Sequence, residues 1–271
     1  MIYDMVIAVP VGIAAPGTPV VNYLDWGIDS ILNQKTNYKF KLVFGADNNI
    51  SDEAKRILEK HGVDVQWYEP YTFMRKGSIW RKIYDQWQRY DTKYVAFSHY
   101  DDMWHPEKIE HHLNAMEKEQ LEMSWSYVRV IDENNTEITG TVGTHKTLNR
   151  NTLVSGTPYA FCHASVFNKQ ALFSTGILDY IDLSAANYET VQYIFSHKLN
   201  GRVIPDTFYY HRMHRDSITS QWGQEQDYMT KQREVANYSL KEVLEDRDKQ
   251  NLGAVISEIE QYLASKEGVL S

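Results

Sequence analysis

The residues best placed for chemistry lie in one stretch, Tyr94-Val-Ala-Phe-Ser-His99-Tyr-Asp101-Asp102-Met-Trp104-His-Pro106. It opens as an apolar, β-prone run and ends in an imidazole and two carboxylates, with a helix-breaking proline behind them. A buried strand that delivers polar side chains at its carboxyl end is the site layout of an open α/β sheet. On an extended backbone His99 and Asp101 point the same way, and Asp102 points elsewhere unless the chain turns. An imidazole and a carboxylate converging on one point suit a divalent cation of intermediate hardness, such as manganese. A plainer role fits the same residues: a polar Asp-Asp turn capping the next helix, with His99 a satisfied strand-end histidine. The order of the surrounding elements bears on that choice.

Met5 to Val9, closed by Pro10, reads as a buried first strand. After a Gly/Pro-rich loop (Val11 to Pro19), Tyr23, Leu24, Gly27, Ile28, Ile31 and Leu32 share one helical face. Phe40 to Gly45 is a second strand, running into the turn-rich Ala46-Asp47-Asn48-Asn49. Ser51 before Asp52 and Glu53 marks a helix start, and Gly62 a helix end. Val63 to Trp67 alternates as a third strand, and Ser78 to Tyr90 is an amphipathic helix built on Ile79, Trp80, Ile83 and Trp87. Tyr94 to Phe97 is then the fourth strand, and this alternation predicts a parallel sheet with helices on its faces.

Glu107 to Glu122 reads as a charged helix and Met123 to Val130 as a strand. The polar segment from Asp132 to about Thr157 is either a loop over the site or a surface hairpin. Strand character returns at Pro158 to Phe167 and Gly201 to Tyr210, with a short helix at Lys169 to Thr175. From Gln224 to Ser271 the chain is largely helical and is expected to pack on the domain or against a partner subunit.

The chain has 271 residues, 42% hydrophobic and 24% charged, enough for a sizeable core in one large domain with an appendage. A net charge of −8 argues against a nucleic-acid binder held by a basic surface. The single cysteine, Cys162, rules out an intramolecular disulfide and fits a reducing compartment. The sequence starts directly in a strand-like run, and nothing approaches the roughly 20 apolar residues of a membrane span. The expectation is a cytoplasmic protein, in which the sequons at Asn134 and Asn237 are chance matches.

Six motifs in fixed order resemble glycosyltransferase family 2, the sugar-nucleotide-dependent enzymes of GT-A fold. Met5 to Pro10 resembles the family's first strand with its closing proline, and Tyr23-Leu24…Ser30-Ile31-Leu32-Asn33-Gln34 its Y-L…S-I-L-x-Q helix. Asp47-Asn48-Asn49-Ile-Ser51-Asp52 stands where the family has D-D-G-S-x-D, and Trp80-Arg81-Lys82 where it has A-R-N. His99-Tyr-Asp101-Asp102-Met-Trp104-His-Pro106-Glu-Lys108 is similar to D-x-D-D-x-W-x-P-x-K, with histidine in place of the first acid. Tyr210-His-Arg212-Met-His214-Arg-Asp-Ser217-Ile218 is similar to the late Y-R-x-H-x-x-S-I segment.

The resemblance implies an α/β GT-A domain, Rossmann-like with a mostly parallel central sheet, over residues 1–221, and a helical extension over 222–271. It implies transfer of a sugar from a nucleotide-diphospho-sugar, a UDP-sugar ahead of others, to an acceptor hydroxyl, most readily on a glycan. Inversion and a divalent metal, Mn2+ or Mg2+, come with it. Asp101, His99 and His214 are the implied metal set, and Pro10, Asp47, Arg81, His99 and Tyr100 the implied nucleotide contacts. The general base falls at Glu189, in Ala186-Asn187-Tyr188-Glu189-Thr190, with Asp182 or Asp179 as the other acids nearby. Departures at His99, Asn49-Ile50 and Thr190 leave open a catalytically silent sugar- or nucleotide-binding module on the same fold. A phosphohydrolase is disfavoured, since no P-loop or His-x-His set appears. The tail offers a surface for homo-oligomerisation.

Overall fold

The computed structural model describes residues 2–12, 20–69, 78–142, 163–180 and 199–214. Strand β1 (Tyr3–Val11) alternates its side chains between two cores, as period-two geometry requires. Met5, Ile7 and Val9 enter a cluster with Leu24, Ile28 and Ile31 of α1 (Val20–Leu32), while Val6 and Ala8 enter another. The second cluster is built on Trp80, Ile83, Tyr84 and Trp87 of α3 (Ser78–Arg89). A strand covered on both faces is apolar throughout, which is why Met5 to Val9 shows no polar alternation. Leu32, assigned to the buried face of α1, is instead exposed: it ends the helix, where the chain leaves the core.

β2 (Phe40–Asp47), α2 (Asp52–Lys60), β3 (Asp64–Tyr68) and β4 (Thr92–Phe97) complete the first half. Here the strands run in the order β3-β2-β1-β4, all parallel. Ser51 caps α2, its hydroxyl accepting from the Ala54 N–H at 3.1 Å, and Gly62 follows the helix at φ +59°. Both ends are as the sequence predicts.

After β4 come β5 (Met103–Trp104), α4 (Lys108–Glu119), β6 (Met123–Ile131), β7 (Glu137–Val142), β8 (Ser165–Asn168), α5 (Lys169–Ser174) and β9 (Gly201–Arg212). The sheet continues from β4 through β8, β6 and β9 to β5, with β7 hydrogen-bonded to β6. This half is mixed: β8 is antiparallel to both β4 and β6, while β6 and β9 are parallel. The polar segment after β6 is a hairpin as far as Val142, turned at Asp132, whose Oδ1 accepts from the N–H groups of Asn134 and Thr136. Its continuation to Thr157, the acids Asp182 and Glu189, and the tail with its 222–271 boundary and oligomer surface lie outside the described residues. Among the described residues no helix is long and apolar enough to cross a membrane.

Candidate active site

The site forms where the carboxyl ends of β2, β1 and β4 meet the end of β9. Pro10 pairs with Gly45 beyond the last residue β4 contributes to the ladder, so its missing N–H costs no bond on that side. One step further, Gly12 lies over the end of β2: a Cβ there would stand 3.0 Å from Asp47 Oδ2. Asp47 is buried and ion-paired with Lys82, Nζ to Oδ1 at 2.6 Å. Gly45 makes room for this lysine, since a Cβ at 45 would come within 2.7 Å of Lys82 Cβ. Burial pulls the Lys82 ammonium below its usual pKa, and Asp47 opposes that shift. Arg81, one of the implied nucleotide contacts, is exposed on α3, while its neighbour Lys82 is buried and turned toward Asp47. The Trp-Arg-Lys triplet fixes the helix but not its rotation, and that rotation decides between neighbours.

Beyond β4 the chain turns at Tyr100 and Asp101. A turn redirects side chains, and it reverses the expected pairing. Asp102, not Asp101, comes to 4.0 Å from His99 Nδ1, whereas Asp101 Oδ2 meets His214 Nε2 at 3.2 Å. Tyr100 is partly buried against the core under α1. Burial pushes its hydroxyl pKa far up, with Asp101 and Asp102 adding to the shift.

The turn is held from three sides. A Cβ on Gly27 of α1 would stand 2.5 Å from the Tyr100 carbonyl oxygen, so glycine permits this close approach. Ser30 accepts from the Trp104 N–H at 3.1 Å. Gln34, one helical turn on, donates to the His105 carbonyl at 2.7 Å and accepts from Ile109 N–H at 3.1 Å. The S-I-L-x-Q helix therefore tethers the segment after the turn and satisfies an N–H group at the start of α4.

From β9, Tyr209 and His211 project on one face, two residues apart. Tyr209 donates to Asp102 Oδ2 at 2.5 Å, His211 Nδ1 lies 3.2 Å from Oδ1, and the Arg212 N–H donates to Oδ1 at 2.8 Å. Asp102 is fully buried. Burial raises its pKa, but His211, His99 and Tyr209 outweigh this and hold the carboxyl below the usual carboxylate range. Arg212 also donates through Nε to the Asp101 carbonyl at 2.8 Å, pinning the turn to β9. The sequence sets Asp102 in the stretch best placed for chemistry but assigns no site role to it, Tyr209, His211 or Arg212. The Tyr209/His211 alternation was the available signal.

His214 is 4% exposed and packs on Tyr23, the ring centroids 4.8 Å apart and the planes tilted by 42°. Among the described residues nothing hydrogen-bonds the buried Asp101 Oδ1 or His214 Nδ1. Buried polar atoms are rarely left so, and a carboxylate oxygen with an imidazole nitrogen is a donor set that suits a divalent cation. Asp101 and His214 thus fit the metal that the motifs imply, with His99 turned toward a different carboxylate. A residue that sequence reasoning missed, His163, lies ring to ring with His99 at 4.0 Å. Burial pushes its imidazole pKa down to about 3, so it is neutral near pH 7.

The fold is similar to that of S. aureus TarS in complex with UDP-GlcNAc, with a TM-score of 0.65 and 14% identity. That alignment covers 97% of this chain and 73% of the other. S. aureus TarS in complex with UDP gives a TM-score of 0.61 at 13% identity, over 94% of this chain and 70% of that one. No curated protein sequence matches. A sequence model described as glycosyl transferase family 2 matches residues 21–173, from α1 through the turn at Asp101 to α5. That span is more than half of the chain, and the protein belongs to glycosyl transferase family 2 and is a glycosyltransferase.

Proposed function

We propose that the protein transfers a sugar from a nucleotide-diphospho-sugar, a UDP-sugar by preference, to an acceptor hydroxyl with inversion and with a divalent cation. The observation that carries this reading is the Asp101–His214 pair at the carboxyl end of β4, each with a buried polar atom that no described residue claims. A cation held there would offset the charge that develops on the departing diphosphate. Asp47 and its partner Lys82, beside Gly12, would offer a carboxylate and an ammonium to the edge of a base. The preference for UDP rests on the two TarS complexes, which hold UDP and UDP-GlcNAc.

The general base that takes the proton from the acceptor hydroxyl is Glu189, with Asp182 as the alternative. Replacing Glu189 with glutamine lowers kcat by about 10²–10⁴-fold if it acts as base. Calorimetry tests the donor reading, with UDP, GDP, CDP and dTDP each titrated with and without Mn2+. UDP binding that needs Mn2+ and weakens in Asp101→Ala supports the reading. Binding of none of the four under either condition removes it.

A further inference from the structure

The short β5–β9 pairing separates the reaction centre from a second concavity. Met103 and Trp104 oppose Tyr210 and Tyr209, and alternation sends the two tyrosines to opposite faces of β9. Tyr209 reaches Asp102, while Tyr210 lines a cleft of about 440 Å³ bounded by the end of α1, Pro106 and the β6–β7 hairpin. Small-molecule sites span about 300–1,000 Å³. None of the residues that line this cleft belongs to the nucleotide or metal sets above. We propose that it is a carbohydrate-binding site apart from the reaction centre, taking one or two uncharged sugar units of a glycan. The inference rests on the cleft itself and on neither the nucleotide nor the metal reading.

Its walls mix apolar and polar groups, as the two sides of a sugar ring do. Met103, Pro106, Ile131 and the Tyr210 ring supply the apolar surface. Arg129 is held in place, its guanidinium carbon 3.7 Å from the Phe208 ring centroid and its Nη1 donating to Glu137 at 3.2 Å. A guanidinium and a carboxylate side by side suit neighbouring hydroxyls, each of which both donates and accepts. Because the two charges cancel, this wall selects neither an anion nor a cation. Tyr210 adds a ring face for the C–H side of a sugar and a hydroxyl for its polar edge. A peptide strand finds less to bind: β5 ends the sheet, but it is only two residues long and Pro106 follows closely. The cleft is also tied to the reaction centre. Asn135 Oδ1, in its wall, accepts from Arg212 Nη2 at 2.5 Å, and Arg212 Nε donates to the Asp101 carbonyl. Along α1, Trp26 stands one turn before Ser30 on the same face and is 37% exposed, so it prolongs the aromatic surface beside Arg212.

The test is saturation-transfer NMR on the full-length protein without nucleotide or metal. The probes are neutral trisaccharides of glucose, mannose, galactose and N-acetylglucosamine, beside a sulfated disaccharide and an uncharged hexapeptide. The expected result is binding of at least one neutral trisaccharide, weakened roughly tenfold in Tyr210→Ala by loss of the ring contact. Asn33→Ala, across the cleft, should weaken it by a smaller factor, and Asp101→Ala should leave it in place. Circular dichroism accompanies Tyr210→Ala, and Asn33→Ala decides if that variant does not fold, because Asn33 is exposed just past the end of α1. Binding of none of the four trisaccharides overturns the proposal, as does binding that survives both substitutions. So does binding lost in Asp101→Ala, which would put the sugar in the reaction centre, or a preference for the sulfated sugar or the peptide. A failure of UDP to bind would strike the donor reading and leave the trisaccharide result standing.

Discussion

Replacing Gly27 with alanine should disable the site while leaving most of the fold intact. The added Cβ would stand 2.5 Å from the Tyr100 carbonyl oxygen, 3.1 Å from that of Asp102 and 3.3 Å from the Tyr100 carbonyl carbon. Ordinary contact begins at 3.4 Å, so the turn must withdraw from α1 by about 0.9 Å. All three obstacles are backbone atoms, which cannot rotate aside as a side chain would. Overpacking of this kind costs about 1–3 kcal/mol, and the better helix propensity of alanine returns about 1 kcal/mol. The net loss is at most about 2 kcal/mol, a fall in Tm of a few degrees for a chain of this size. Function suffers more. Asp101 rides on the displaced turn, and a misplacement of about 1 Å in a reacting constellation costs on the order of 10²-fold. The assay is calorimetric UDP binding with Mn2+ beside a thermal melt. UDP affinity unchanged in Gly27→Ala would refute the claim that α1 sets the position of the Asp101 turn.

Gln34→Leu removes the donor to the His105 carbonyl and the acceptor of Ile109 N–H, and should cost about 2–3 kcal/mol in urea denaturation. Lys82→Met strands the carboxylate of Asp47 in a pocket where both side chains are nearly inaccessible, a loss of about 3–5 kcal/mol, part of which Asp47→Asn in the same chain should restore. His112 lies fully buried between Ser124, Ser126 and Thr207, and burial pushes its pKa well below 6.5. The unfolded chain therefore takes up a proton that the folded chain does not, and stability falls as pH drops below about 6.5. His112→Asn should flatten that slope by up to one proton, about 1.4 kcal/mol per pH unit, measured by denaturation at several pH values.

How much of this the sequence discloses depends on the range of the forces involved. The first four strands follow from local patterns, because a strand buried on both faces must be apolar and β2 pairs with its neighbours in sequence, β1 and β3. Ser51 and Gly62 are equally legible, since a cap is a contact within three or four residues. His163 leaves no such trace. It reaches His99 only because β8 inserts antiparallel between β4 and β6, a pairing that no periodicity announces. Two-residue β5 is illegible for the same reason: it exists only because Met103 and Trp104 oppose Tyr210 and Tyr209.

The adjacent carboxylates Asp101 and Asp102 show where reading by alternation breaks down. On a straight strand Asp101 would join His99, and the metal set would be the one that the motif implies. The turn at Tyr100 exchanges the two acids, because its carbonyl rests against Gly27 and its far side is tied to β9 through Arg212. Asp102 then faces inward, where protein donors from Tyr209, His211 and Arg212 hold it as a carboxylate. Asp101 keeps one oxygen, Oδ1, that no described residue claims, while its Oδ2 lies 3.2 Å from His214 Nε2, just past the end of β9. Identical side chains one bond apart along the chain thus take opposite parts: Asp102 locks β9 onto the turn, and the lock sets Asp101 before His214. Loss of the Asp102 carboxylate should for that reason weaken UDP and Mn2+ binding even though its oxygens are occupied by the protein itself.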